Sequence, residues 1–226
     1  MKRAILGLAL AALAAFSAQA QAPAQQENRA EAAVRAGVAC LGGRDPNAYL
    51  ALLRSAALSN AERTEVGRLM PLILRCREGS ERFSASAIQL RAAAAEYLYA
   101  TQFATAPAPR TPPLAVAPLL RVDEARNRAE AEPLAANYAL FECLTAAHPD
   151  LVRAYLATAV GSEAEQAGFR ALAPGLGACL PPGGSRQLAL GGVRLRGVLA
   201  EMLYRWSAVQ RDGPASPFAA AAAPAG

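Results

Sequence analysis

Four cysteines, one histidine and 18 carboxylates are the side chains in this sequence with most reach into redox, metal or acid–base chemistry. Their spacing withholds most of it. The cysteines, Cys40, Cys76, Cys143 and Cys179, form no C-x-x-C pair, which argues against a thioredoxin-like redox motif and against a structural zinc site. His148 stands directly before Pro149 at the expected start of a helix, where capping or plain exposure is its expected duty. A histidine-based triad has no other residue to use. Two carboxylates suffice for glycosidic chemistry, and Glu96 and Glu201 occupy recurring positions, but nothing in the sequence sets them around a cleft. Gly42-Gly43, Gly183-Gly184 and Gly191-Gly192 lack the strand-to-helix setting of a phosphate-binding loop and are read as loop or cap residues. Tyr97, Tyr99, Tyr204 and Trp206 could line a ligand slot, although aromatic residues at helical spacing usually belong to a core. No cofactor, catalytic residue or metal ligand is therefore assigned, and catalysis is not expected.

The elements that position these residues are announced by an internal repeat. A shift of 103 residues brings Cys40-Leu41 onto Cys143-Leu144, Pro46 onto Pro149, Ser59 onto Ser162, Ala61-Glu62 onto Ala164-Glu165, Pro71 onto Pro174 and Cys76 onto Cys179. Two further residues, absorbed near Pro181-Pro182-Gly183-Gly184, align Leu90-Arg91 with Leu195-Arg196 and Ala95-Glu96-x-Leu98-Tyr99 with Ala200-Glu201-x-Leu203-Tyr204. Abundant Ala, Leu and Arg with little Ile, Thr and Val favours helix, because unbranched side chains lose little rotamer freedom there. The expected fold is all-α: a tandem duplication of a four-helix, cystine-stapled unit, its helices antiparallel with short turns.

In each copy the first helix ends at the first cysteine, covering about Asn28 to Leu41 and starting again near Pro133. The second follows Asp45-Pro46 and His148-Pro149. The third opens on Ser59-x-x-Glu62 and Ser162-x-x-Glu165, both read as capping boxes, and is kinked by Pro71 or Pro174, with Gly175 and Gly177 ending the second version early. The fourth, about Ser84 to Phe103 and Arg186 to Gln210, turns Leu98 and Leu203 to the core.

Five segments result. Residues 1–20 read as a signal peptide, with Lys2 and Arg3 before an apolar run too short to span a bilayer and a cut after Ala20. Residues 21–103 and 118–211 are the two repeats, 104–117 is a Pro/Ala-rich linker, and 212–226 is a Pro/Ala/Gly tail expected to be disordered. Residues 118–131 could add a helix. Such a leader implies a periplasmic or secreted protein, where cysteines pair. Its removal also takes two charges from the formal +5, leaving too small an excess to argue for nucleic acid.

Three pairings of four cysteines exist, and geometry chooses among them. If the first three helices run up, down and up, Cys40 and Cys76 lie at one end of the bundle, and Cys143 and Cys179 likewise, so each copy closes its own cystine. Arg91 and Glu96 sit about 140° apart on their helix, as do Arg196 and Glu201, and so need partners elsewhere. Four solvated charges are the plainer reading, and the other is an isologous contact between the two fourth helices, Arg91 to Glu201 and Arg196 to Glu96. The expected function is a non-catalytic helical scaffold or protein-interaction module of the cell envelope. The alternative is a carrier holding a small apolar ligand or lipid in a helical cleft. Its partner would be an envelope protein or that ligand.

Overall fold

The computed structural model describes residues 30–76, 85–111, 114–180 and 192–220, with the backbone alone for 192–194, and every regular element among them is a helix. The expected signal peptide lies outside the described residues, as do the Pro181–Gly184 loop and the chain beyond Ala220. α1 occupies residues 30–44. It is followed by α2 (Leu50–Arg54), α3 (Asn60–Cys76), α4 (Ala87–Gln102), α5 (Arg128–Ala147), α6 (Pro149–Leu156), α7 (Glu163–Cys179), α8 (Gly192–Asp212) and a 3-10 turn, Gly213–Ala215. Two isolated β-bridges, Ser59 with Ala125 and Val116 with Ala219, complete the regular backbone pairing.

α8 is the centre of the molecule. Every residue from Leu195 to Gln210 is buried, so over this stretch the helix has no solvent face. Ala200, Tyr204, Ala208 and Val209 pack with Val38, Leu52, Leu53, Ile73 and Leu98 of the N-terminal half. On its other side Leu195, Leu199, Met202, Leu203 and Trp206 pack with Phe141, Leu144, Val152 and Leu172. The most extensive helix contact is α4 on α8. The two helices approach closely at Gly197, where an added Cβ would overlap the Ala92 Cβ. Small residues at the crossing let the helices approach, and the long side chains flanking it then reach the opposite helix.

Local chemistry explains the starts of the third helices in both halves. The Ser59 hydroxyl accepts the Glu62 N–H at 3.1 Å and the Ser162 hydroxyl accepts the Glu165 N–H at 3.1 Å, as N-caps do. The glutamates depart from the expected box. Glu62 accepts the N–H of Leu58 at 2.9 Å and Glu165 that of Gly161 at 2.6 Å, one residue before the serine. The cause is a left-handed residue at that position, Leu58 at φ 63° and Gly161 at φ 75°. The serine N–H groups are already spent on Ala56 and Ala159 carbonyls. A full capping box occurs instead at Ser86 and Gln89, at the head of α4.

Several boundaries differ from the sequence reading. α5 starts at Arg128, so Pro133 lies inside the helix, and residues 118–127 turn without forming one. α1 continues past Cys40 through Gly42, which faces the Tyr97 ring with no room for a Cβ. α7 passes Gly175 and Gly177 to reach Cys179, because Gly175 sits against Leu144 and His148, where a Cβ would come within 2.8 Å, and the packing holds the helix together.

The tail expected to be disordered is packed as far as Ala220, against residues 115–117 of the linker, and the chain just after the linker is packed as well. Leu119 and Leu120 are buried, and Ala57 donates to the Leu119 carbonyl at 2.9 Å. Residues 216–220 return along the linker, with Ala117 N–H on Phe218 O at 2.8 Å and Ala220 N–H on Ala115 O at 2.9 Å. The anchor is Phe218, 1% exposed and edge-on to Tyr204. One buried aromatic side chain is worth about 1.5–3 kcal/mol, enough to hold a short polar-poor segment in place.

Candidate functional site

Two places gather the chemistry-bearing side chains: the α4–α8 crossing, and a cleft beyond it between α5, α8 and residues 114–117. At the crossing Arg91 donates Nε to Glu201 Oε2 at 2.9 Å, and Arg196 donates Nε to Glu96 Oε1 at 3.1 Å. These are the two contacts of the isologous reading of the recurring Arg and Glu positions. Each arginine also collects the capping glutamate of its own half, Arg91 reaching Glu62 at 3.4 Å and Arg196 reaching Glu165 at 3.0 Å. Backbone carbonyls complete the coordination, Leu52 and Ser55 for Arg91, Leu156 and Thr158 for Arg196. Only a planar, five-donor guanidinium can satisfy so many acceptors at once.

The two ends are unequal in burial. Arg91 and Glu201 are each 3% exposed, whereas Glu96 is 15% exposed and shares a second cation, Arg35. Burial by itself would lower the Arg91 pKa, but Glu201 and then Glu62 outweigh it and raise it. Burial pushes the Glu62 carboxyl up by more than Arg91 pulls it down, and Glu201 adds repulsion. One cation holding two buried carboxylates explains both directions. A cleft of about 230 Å³ opens on this cluster, lined also by Arg126, Glu130 and Tyr138. Thus Glu201 does face a cleft, but both of its oxygens are held by Arg91, which leaves it poorly placed for proton transfer. Glu96 is at the other end of the crossing.

The second cleft, about 350 Å³, differs in kind. α5 contributes Ala139, Glu142, Cys143 and Ala146 at helical spacing, α8 contributes Met202, Arg205 and Trp206, and Leu114 to Ala117 form the third wall. That wall is held in place by the Phe218 return described above. Arg205 is 4% exposed, makes no hydrogen bond or ion pair with any described residue, and has its Nε enclosed without a partner. Its guanidinium carbon lies 5.3 Å above the Phe218 ring. Burial pulls its pKa down to about 10, so it still carries its charge at neutral pH. Thr145, also on the lining, has an enclosed hydroxyl without a partner. Glu142 accepts the Leu119 N–H at 2.8 Å, and burial raises its pKa.

The cysteines are Cys40 bonded to Cys76 and Cys143 bonded to Cys179, with Cα–Cα separations of 5.9 Å and 5.8 Å. Cys143 sits on the rim of the second cleft. His148 is half-buried at the N-cap of α6 and makes no side-chain cap bond there. Among the described residues no three His, Cys, Asp or Glu side chains come together as a metal ion would need. Of the aromatics, Tyr204 is in the core, linked edge-on to Phe103 and Phe218, while Trp206 lines the second cleft. Arg205 carried no signal in the sequence: it is one arginine among many on a helix whose far side needed a partner to bury it. No protein-family model, curated protein or solved structure matches the chain.

Proposed function

We propose that the chain is an exported, non-catalytic carrier of a small ligand, built from two tandem copies of one cystine-stapled helical unit. The observation that carries this reading is the second cleft, whose about 350 Å³ between α5, α8 and residues 114–117 is walled mainly by apolar side chains and lies in the range of small-molecule sites. The carboxylates that recur between the copies are spent on arginines, as Glu62, Glu96, Glu165 and Glu201 all are. A scaffold role needs a docking face, and the large apolar side chains exposed among the described residues, Leu74, Leu151, Val160 and Phe169, are only 37–45% exposed, which is ordinary for a protein surface.

Duplication is supported by the matching of the two capping turns and of the two arginine clusters. Export is supported by the leader-like residues 1–20 and by two cystines, which persist in oxidising compartments. Among the described residues no helix is long and apolar enough to cross a membrane. Native mass spectrometry of the protein purified from its own host tests the carrier reading. A co-purifying small molecule released by denaturation is expected, whereas a bare mass in every preparation would favour the scaffold. The same spectrum gives the mature N-terminus, expected at Gln21.

A further inference from the structure

Arg205 is a buried cation whose one recorded contact is the Phe218 ring, with no hydrogen bond or ion pair to any described residue. A guanidinium has five N–H donors, and at Arg205 the Nε donor is enclosed without an acceptor, which is costly in a core. The nearest carboxylates do not relieve it. Glu201 is committed to Arg91, and Glu142 stands in the same cleft with one oxygen on the Leu119 N–H, near enough to attract Arg205 but forming no bond to it. Thr145 adds a second enclosed donor on the same lining. Both groups lack an acceptor, and both residues line a space whose other walls, Glu142 apart, are apolar.

We propose that this cleft binds a small amphipathic monocarboxylate, its head on the Arg205 guanidinium and the Thr145 hydroxyl and its apolar body against Val116, Met202 and Trp206. A carboxylate accepts two parallel N–H bonds from a guanidinium, which is the geometry Arg205 can offer. One cation, with Glu142 beside it, suits a single negative charge and disfavours a phosphate dianion. The volume suits a medium-length chain or a compact ring system. This inference rests on the carrier reading and names the class of its ligand.

Trp206 is the only tryptophan in the chain and lines the cleft, so its fluorescence reports occupancy directly. The full-length mature protein is titrated with decanoate and, separately, with 1-decanol, and calorimetry provides a second readout. Decanoate is expected to bind saturably and about tenfold or more tighter than decanol, the difference a charged head on a guanidinium supplies. In Arg205→Met the two probes should bind alike, and Thr145→Val should weaken decanoate by a smaller factor. Should Arg205→Met not fold, the decanoate-to-decanol ratio of the unaltered protein and the Thr145→Val variant still decide. Equal binding of both probes by the unaltered protein overturns the recognition of an anion while leaving an apolar carrier standing. No response to either probe overturns both readings.

Discussion

Arg91 and Glu201 are 110 residues apart in the chain, yet Arg91 Nε donates to Glu201 Oε2 at 2.9 Å where both side chains are 3% exposed. The pair lies on opposite sides of the Ala92–Gly197 crossing, so it forms only when α4 and α8 are docked. A docked crossing in turn holds the two halves of the chain in one arrangement.

Removing the cation should therefore be severe at this end of the crossing and milder at the other. Arg91→Met leaves Glu62 and Glu201 buried without their cation and is expected to cost about 3–5 kcal/mol in urea unfolding. Arg196→Met should cost about 1–3 kcal/mol, because Glu96 is more exposed and keeps Arg35. Equal losses at the two positions would contradict the inequality seen in burial.

Two glycine substitutions should move stability in opposite directions. Gly197→Ala pushes a methyl group into Ala92, whose Cα is only 3.4 Å from the new atom, so the helices must separate at a cost of about 1–3 kcal/mol. Gly67→Ala, mid-helix in α3 with nothing within 4 Å, should gain about 0.5–1 kcal/mol by restricting the unfolded chain. Thermal melts of the two variants check the pair of signs.

The cystines should differ in lability. Cys143 is exposed and Cys179 half-buried, whereas Cys76 is buried and Cys40 half-buried, so graded thiol reductant should open Cys143–Cys179 first. Alkylation followed by peptide mass spectrometry reads the order. Replacing either pair by alanines is expected to cost roughly 3–4 kcal/mol, the entropy of closing a loop of this length in the unfolded chain.

Glu142 gives a pH dependence with a defined sign. Burial raises its folded pKa above the ordinary glutamate value, even with Arg205 pulling it down, so the native state holds the proton more tightly than the unfolded chain. Stability is then lost as pH rises from the ordinary glutamate range through the folded pKa. Glu142→Gln keeps an acceptor for the Leu119 N–H and removes that loss. The variant should match the parent near pH 4 and melt higher than it at pH 7, by an amount that grows across the interval. A gap that shrinks with rising pH would refute the assignment.

Read alone, the sequence determined the helical composition, the presence of cystines and the recurrence of the Arg and Glu residues, while their meeting at α4 and α8 was one of two readings it left open. These follow from local rules: rotamer entropy, N-cap chemistry, the 3.6-residue period, and the angle that keeps Arg91 from reaching Glu96 on its own helix. Tertiary structure alone decided the rest. Whether a helix is buried on one side or all round depends on how many neighbours surround it, and α8 acquires both halves as neighbours only on docking. The left-handed backbone at Leu58 and Gly161, which moves the glutamates one residue off the expected caps, depends on the turn before each serine. Phe218 looked like part of a loose tail because the groove that receives it is assembled from Tyr204, residues 114–117 and α8, none of them near it in local pattern. Arg205 is left without a hydrogen-bonding partner for the same reason: only the packed arrangement sets the distance between a charge and the carboxylates that might have met it.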